Sequence, residues 1–107
     1  MSLKEKKCKP CEGGVAPLKA KEIQAYNNQL KTGWEVIDNK KIAQSFTFKN
    51  FKEALNFANQ VGEIAEQEQH HPDLHVYYGK VEIELATHAI GGLSENDFIM
   101  ASKIEDL

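Results

Sequence analysis

The four histidines of the chain, His70, His71, His75 and His88, fall within nineteen consecutive positions, and the first two open a His-His-Pro run. An imidazole titrates near pH 6.5, so at neutral pH its proton-donating and proton-accepting forms are both populated. Glu66 stands four residues before His70, one turn back on the same face of a helix. Three chemistries use such a set. Three histidines and a carboxylate are ordinary zinc ligands. Histidines also sit favourably at helix C-termini, where they complement the dipole. Several imidazoles around one pocket suit an elimination, in which one group protonates a leaving hydroxide while another removes a proton. Each such group contributes on the order of 10² to 10⁴ in rate.

The zinc reading meets two obstacles. Adjacent His70 and His71 point in different directions at a helix end, and Pro72 interrupts the His71 to His75 spacing, so an HExxH-type arrangement is absent. The helix-end reading accounts for His70 and His71 and leaves His88 without a role. Proton transfer uses all three and requires no metal or cofactor. The chain has no nucleophile elbow, no phosphate-binding glycine loop and no aromatic-basic stripe, so hydrolase, kinase and nucleic-acid functions lack support.

The elements that must position these groups are legible from periodicity. Residues 1–17, ending in EGGVAP, read as an irregular arm punctuated by Gly13, Gly14 and Pro17. Ala20, Ile23, Tyr26 and Leu30 predict an amphipathic helix over 19–31, stopped at Thr32-Gly33. Trp34 and Val36, then Ile42, Phe46 and Phe48, alternate with polar residues around Asp38-Asn39-Lys40, as a hairpin would. Asn50 is a good N-cap for a helix of about five turns carrying Phe51, Ala54, Leu55, Ala58, Val61, Ile64 and Ala65. Pro72 disfavours the α conformation at His71 and ends that helix. Leu74 and Val76, a turn at Gly79, and Val81, Ile83 and Leu85 predict a second hairpin. After Gly91-Gly92, Ser94 and Asp97 have capping-box spacing for a last helix with Phe98, Ala101 and Ile104. Two hairpins and three helices, each with one apolar face, predict an α+β domain: one four-stranded antiparallel sheet with the three helices on one face, in the order α-β-β-α-β-β-α. On that fold Glu66, His70, His71 and His88 can converge at the rim of the sheet.

At 107 residues the chain has apolar surface for one core. We place the domain at 18–107. The net charge of -3, from 13 basic and 16 acidic residues, argues against nonspecific binding to nucleic acid or anionic membranes. No apolar run reaches the length of a membrane span, and MSLKEKKCKP lacks the apolar core of a secretory signal, which points to the cytosol. Cys8 and Cys11 form a CxxC that is half of a zinc site without its second pair, and in a reducing compartment they are free thiols.

The pattern Glu66-x3-His70-His71-Pro72-x5-Tyr78-x9-His88-x8-Asp97 resembles the signature of the pterin-4a-carbinolamine dehydratases. The resemblance spans residues 15–105, with GWEV, the long helix, the second hairpin and GLSENDF in their family places. It implies the same fold, no metal or cofactor, and dehydration of 4a-hydroxytetrahydrobiopterin to quinonoid dihydrobiopterin, which recycles the pterin for aromatic amino-acid hydroxylases. Carried over by position, His70 and His88 would transfer protons, and His71 would hold the pterin and share the base role. Glu66 would orient a histidine, Asp97 would orient or cap, Pro72 would fix the exit from the helix, and Tyr78 would pack beside a turn.

The sequence departs from many relatives at Gln69, where they carry a carboxylate, and at Asn96, where they carry a basic residue. His75 reads as a surface strand residue. The family also implies a homodimer or homotetramer, formed by edge-strand pairing and helix packing. Animal members act as dimerisation partners of a homeodomain transcription factor, so a scaffold role is the alternative to catalysis. Pterin binding in another pathway, such as molybdenum-cofactor metabolism, is a third.

Overall fold

The computed structural model describes residues 2–9 and 15–107. Its order is α1 (Ala20–Asn27), β1 (Glu35–Ile37), β2 (Lys41–Thr47), α2 (Phe51–Glu68), β3 (Asp73–Tyr77), β4 (Lys80–Leu85) and α3 (Glu95–Glu105), with 3-10 turns at Leu3–Glu5 and His88–Ile90. This is the expected α-β-β-α-β-β-α order. Gly13 and Gly14, expected to punctuate the irregular arm, and the second cysteine of the CxxC, Cys11, lie outside the described residues.

The strands run antiparallel in the spatial order β1-β2-β4-β3. Register puts Ile42 opposite Leu85, Phe46 opposite Val81, and Leu74 and Val76 opposite Ile83 and Val81, so the apolar set shares one face. Glu82, Glu84 and His75 lie on the other. Helices α2 and α3 pack on the apolar face, and α1 packs on α3. Ile42, Val81, Ile83, Leu85, Phe98 and Met100 are wholly buried there. Each such side chain contributes about 1.5–3 kcal/mol of transfer free energy. The β1–β2 turn is type I′: Asp38 and Asn39 have φ of 54° and 55°, which their short polar side chains tolerate, and Lys40 N–H donates to the Ile37 carbonyl at 3.0 Å.

Asn50 caps α2 as expected, its Oδ1 accepting from Glu53 N–H at 2.9 Å. The stripe that faces the sheet is Ala54, Phe57, Ala58, Val61 and Ala65, with Ile64 partly buried beside it, and it differs from the expected one at Phe51, Leu55 and Phe57. Phe57 is inside, packed against Phe46 and Phe48 at ring distances of 4.9 and 5.0 Å. Phe51 and Leu55 are 46% and 42% exposed, because Leu55 lies about 100° round the helix from Ala54, off the stripe. Helix α1 is shorter than the predicted 19–31. Asn27 receives Trp34 N–H and donates to the Trp34 carbonyl, both at 2.9 Å, which turns the chain out of the helix. Leu30 still reaches the core from the turn beyond.

The segment after β4 is drawn tight. Thr87 N–H donates to the Gly92 carbonyl at 2.8 Å, and Leu18 N–H to the Leu93 carbonyl at 2.9 Å. A Cβ on Gly92 would lie 2.7 Å from Cβ of Pro17, so this position requires glycine. No helix among the described residues is long and apolar enough to cross a membrane.

Candidate active site

Helix α2 stops at Glu68 because Gln69 takes a left-handed conformation, φ 54° and ψ 39°, with its N–H on the Ala65 carbonyl and its Nε2 on the Glu66 carbonyl at 2.6 Å. That reversal decides where the two histidines go. His70 turns inward and is 8% exposed, whereas His71 turns outward. Glu66, expected one turn below His70, is instead bonded to His71, Oε2 to Nε2 at 2.5 Å, with both side chains more than half exposed. The i, i+4 relationship to His70 holds only while the chain stays helical, and it leaves the helix before His70.

His70 meets Asp97. Its Nε2 lies 2.6 Å from Asp97 Oδ1, and the carboxylate is wholly buried. The other oxygen, Oδ2, accepts from Thr87 Oγ1 at 2.8 Å and from Ser94 N–H at 3.0 Å. Thr87 spends its one hydroxyl proton on Asp97, so the 2.7 Å contact between Thr87 and Ser94 hydroxyls has Ser94 as donor. Asp97 therefore faces three donors and lies in the first turn of α3, where the helix dipole favours negative charge. A carboxylate that only accepts fixes the proton of neutral His70 on Nε2, leaving Nδ1 as the nitrogen with a free lone pair. Asp97 is both the helix-capping residue and a histidine partner.

His88 opens the 3-10 turn after β4 and is exposed. It follows Thr87 directly, so its backbone is tied to the carboxylate that holds His70. Beside it is a hollow of about 230 Å³ lined by Lys40, Lys41, Ala86, Thr87, His88, Gly91 and Gly92. Glu66, His70 and His71 are not among its lining residues. The set is thus arranged as a buried pair, an exposed pair and His88 adjoining the first, rather than as a single cleft with four walls. Pro72 separates His71 from β3. Tyr78 is 72% exposed at the β3–β4 turn, so the expected packing role does not hold, and His75 is an exposed strand residue.

Thr87 was not among the residues singled out by sequence. The available signal was a small hydroxyl residue immediately before His88 at the end of a strand, which is weak. No group of three or more His, Cys, Asp or Glu among the described residues is placed to hold a metal ion.

Comparison with known proteins bears on this arrangement. Residues 16–107 match the family model of pterin 4 alpha carbinolamine dehydratase. A protein of Rubrobacter xylanophilus, provisionally named a pterin-4-alpha-carbinolamine dehydratase, is 50% identical over 105 residues, covering 98% of this chain and 97% of its own. A Nitrosomonas eutropha protein with the same provisional name is also 50% identical, over 98% of this chain and 92% of its own. Among solved structures, the transcriptional coactivator/pterin dehydratase of Brucella melitensis superposes with a TM-score of 0.77 at 35% identity, covering 84% of this chain and 96% of that one. A pterin dehydratase-like RuBisCO assembly factor of the alpha-carboxysome shares the fold at 16% identity and a TM-score of 0.58, over 68% and 86% of the two chains. The chain belongs to the pterin 4 alpha carbinolamine dehydratase family.

Proposed function

We propose that this protein dehydrates 4a-hydroxytetrahydrobiopterin to quinonoid dihydrobiopterin by histidine acid-base catalysis, recycling the cofactor of aromatic amino-acid hydroxylases. The substrate carries a hydroxyl on C4a next to N5–H. An acid protonates the hydroxyl, the N5 lone pair forms the C4a–N5 double bond as water leaves, and a base takes the N5 proton. One proton is given and one received, so solvent exchange restores the catalyst. His70 and His88 exchange these protons, and His71, hydrogen-bonded by Glu66, holds the pterin and shares the base role. Pro72 fixes where His71 leaves the helix.

The observation that carries the reading is the buried Asp97 on Nε2 of His70. It sets the tautomer, restricts the ring, and lies where the positive charge of a protonated imidazole would fall. Such a group exchanges protons at Nδ1 without first rotating. A homodimer or homotetramer accords with the exposed Phe51 and Leu55 on α2 and the unpaired edges of β1 and β3. A second reading, a partner of a transcription factor, draws on the coactivator role named for the Brucella structure.

The test is the loss of 4a-hydroxytetrahydropterin, generated in place by a pterin-dependent hydroxylase. Acceleration by the wild type, cut about tenfold or more in folded His70→Ala and His88→Ala variants, supports catalysis. A wild type no faster than buffer rejects it and favours partner binding.

A further inference from the structure

The N-terminal residues 2–9 lie outside the span of the family model, yet they are fastened to both elements that bear the buried pair. Leu3 is almost wholly buried in the core, next to α3. Lys6 Nζ pairs with Glu95 at 2.7 Å, and Lys103 Nζ donates to the Lys4 carbonyl at 2.9 Å. Further along, Lys9 N–H donates to Asn96 Oδ1 at 2.9 Å while Asn96 Nδ2 donates to the Lys9 carbonyl at 2.7 Å, a two-bond ring like one rung of a sheet. Cys8 N–H donates to Glu68 Oε1 at 2.8 Å.

The positions of the gripped residues matter. Glu95, Asn96 and Asp97 are consecutive: the arm holds the first two and the third holds His70. Glu68 is the last residue of α2, two before His70, and its side chain is only 7% exposed. Its partners are the Cys8 N–H and Lys103, 3.8 Å away. The end of α2 and the start of α3 are therefore bridged twice, once by His70 with Asp97 and once by Cys8-Lys9 with Glu68 and Asn96. We infer that residues 3–9 form a clasp whose grip on Glu68 and Asn96 positions Asp97 against His70, making Glu68 and Asn96 positioning residues of the site. This rests on the proposed role of His70 only where activity is concerned; the clasp itself is a statement about the His70–Asp97 bond.

The Cys8 thiol fits that place. Burial, followed by the charge of Glu68, pushes it up to about 12, so it stays neutral between Glu68 and the Asn96 carbonyl, 3.6 Å from its Sγ. Asn96 suits its place: a carboxamide offers both the donor and the acceptor that one peptide unit of the arm needs.

The experiment follows the His70 Nε2–H proton by NMR in the full-length chain, as wild type, Asn96→Ala, Glu68→Ala and Glu68→Gln. Glu68→Gln keeps an oxygen for Cys8 N–H and serves as the conservative control. The clasp predicts slow solvent exchange of this proton in the wild type, exchange at least tenfold faster in Asn96→Ala and Glu68→Ala, and recovery in Glu68→Gln, with amide protection in β2 and β4 unchanged. Wild-type exchange in both alanine variants overturns the inference, as does acceleration that spreads equally to β2 and β4, which would mark a general loss of stability. Dehydration is measured on the same samples: a wild type inactive toward the pterin, with the exchange pattern intact, rejects the catalytic reading and leaves the clasp standing.

Discussion

Asp97 reaches His70 with one carboxylate oxygen and Ser94 N–H with the other, so the residue that starts α3 also fixes the imidazole at the end of α2. Helix capping and histidine orientation are thereby coupled: any change that moves the first turn of α3 also moves the partner of His70. Sequence spacing presented these as competing roles for Asp97, and the structure assigns both.

Glu66 and His71 form the opposite kind of pair, solvent-exposed and joined by a single bond. Exposed pairs contribute little to stability, so Glu66→Gln and His71→Ala should each change unfolding free energy by less than about 1 kcal/mol. If His71 holds the pterin, the effect falls on substrate affinity. Steady-state kinetics should give a KM raised roughly tenfold, about 1.4 kcal/mol of lost binding, with kcat changed less. A fall in kcat alone would assign His71 to proton transfer instead.

Cys8 should be an unreactive thiol in the native protein. With burial pushing it up to about 12, its thiolate fraction at pH 8 is about 10⁻⁴, against about a quarter for a free cysteine. Iodoacetamide should therefore modify Cys8 on the order of 10³ more slowly in the folded chain than in denaturant. Fragment-ion mass spectrometry that separates Cys8 from Cys11 measures this directly.

Glu95 makes acid stability sensitive to the arm. The Lys6 hydrogen bond, with the Lys6 charge and the Tyr26 hydroxyl, holds its carboxyl below the ordinary 4.5 despite partial burial. A carboxyl whose folded pKa lies below its unfolded one adds stability that is fully present above the unfolded value and is lost as pH falls through the folded value. Glu95→Gln should thus be less stable than wild type at pH 7, and the difference should shrink as pH drops below about 4.5. Denaturant melts at pH 7 and pH 3 check both the sign and the window.

The fold was readable because Val81, Ile83 and Leu85 alternate and because Asn50 and Ser94 mark helix starts. Both are local signals with a fixed period or a fixed offset. The errors have physical causes. Phe51 and Leu55 fit a helical period but lie to one side of the buried stripe, and periodicity alone does not say how wide a face the sheet covers. Glu66 meets His71 rather than sharing a helical face with His70 because Gln69, a residue with no intrinsic need for positive φ, takes the left-handed position that reverses His70. The role of Thr87 depends on an irregular turn that brings it back to Ser94 and Asp97, and the grip of Lys9 on Asn96 on a contact between residues distant in sequence. Composition gives no hint of them.

The most direct measurement is the dehydration rate of Asp97→Asn, read with the ¹⁵N signals of His70. The substitution keeps the shape of the side chain. With its oxygen facing Thr87 and Ser94, its NH₂ faces His70 Nε2 and demands a lone pair there, which moves the imidazole proton to Nδ1. The account predicts a folded protein with the His70 tautomer inverted and dehydration slowed by about 10²- to 10⁴-fold. A folded variant with the inverted tautomer and an undiminished rate would contradict it.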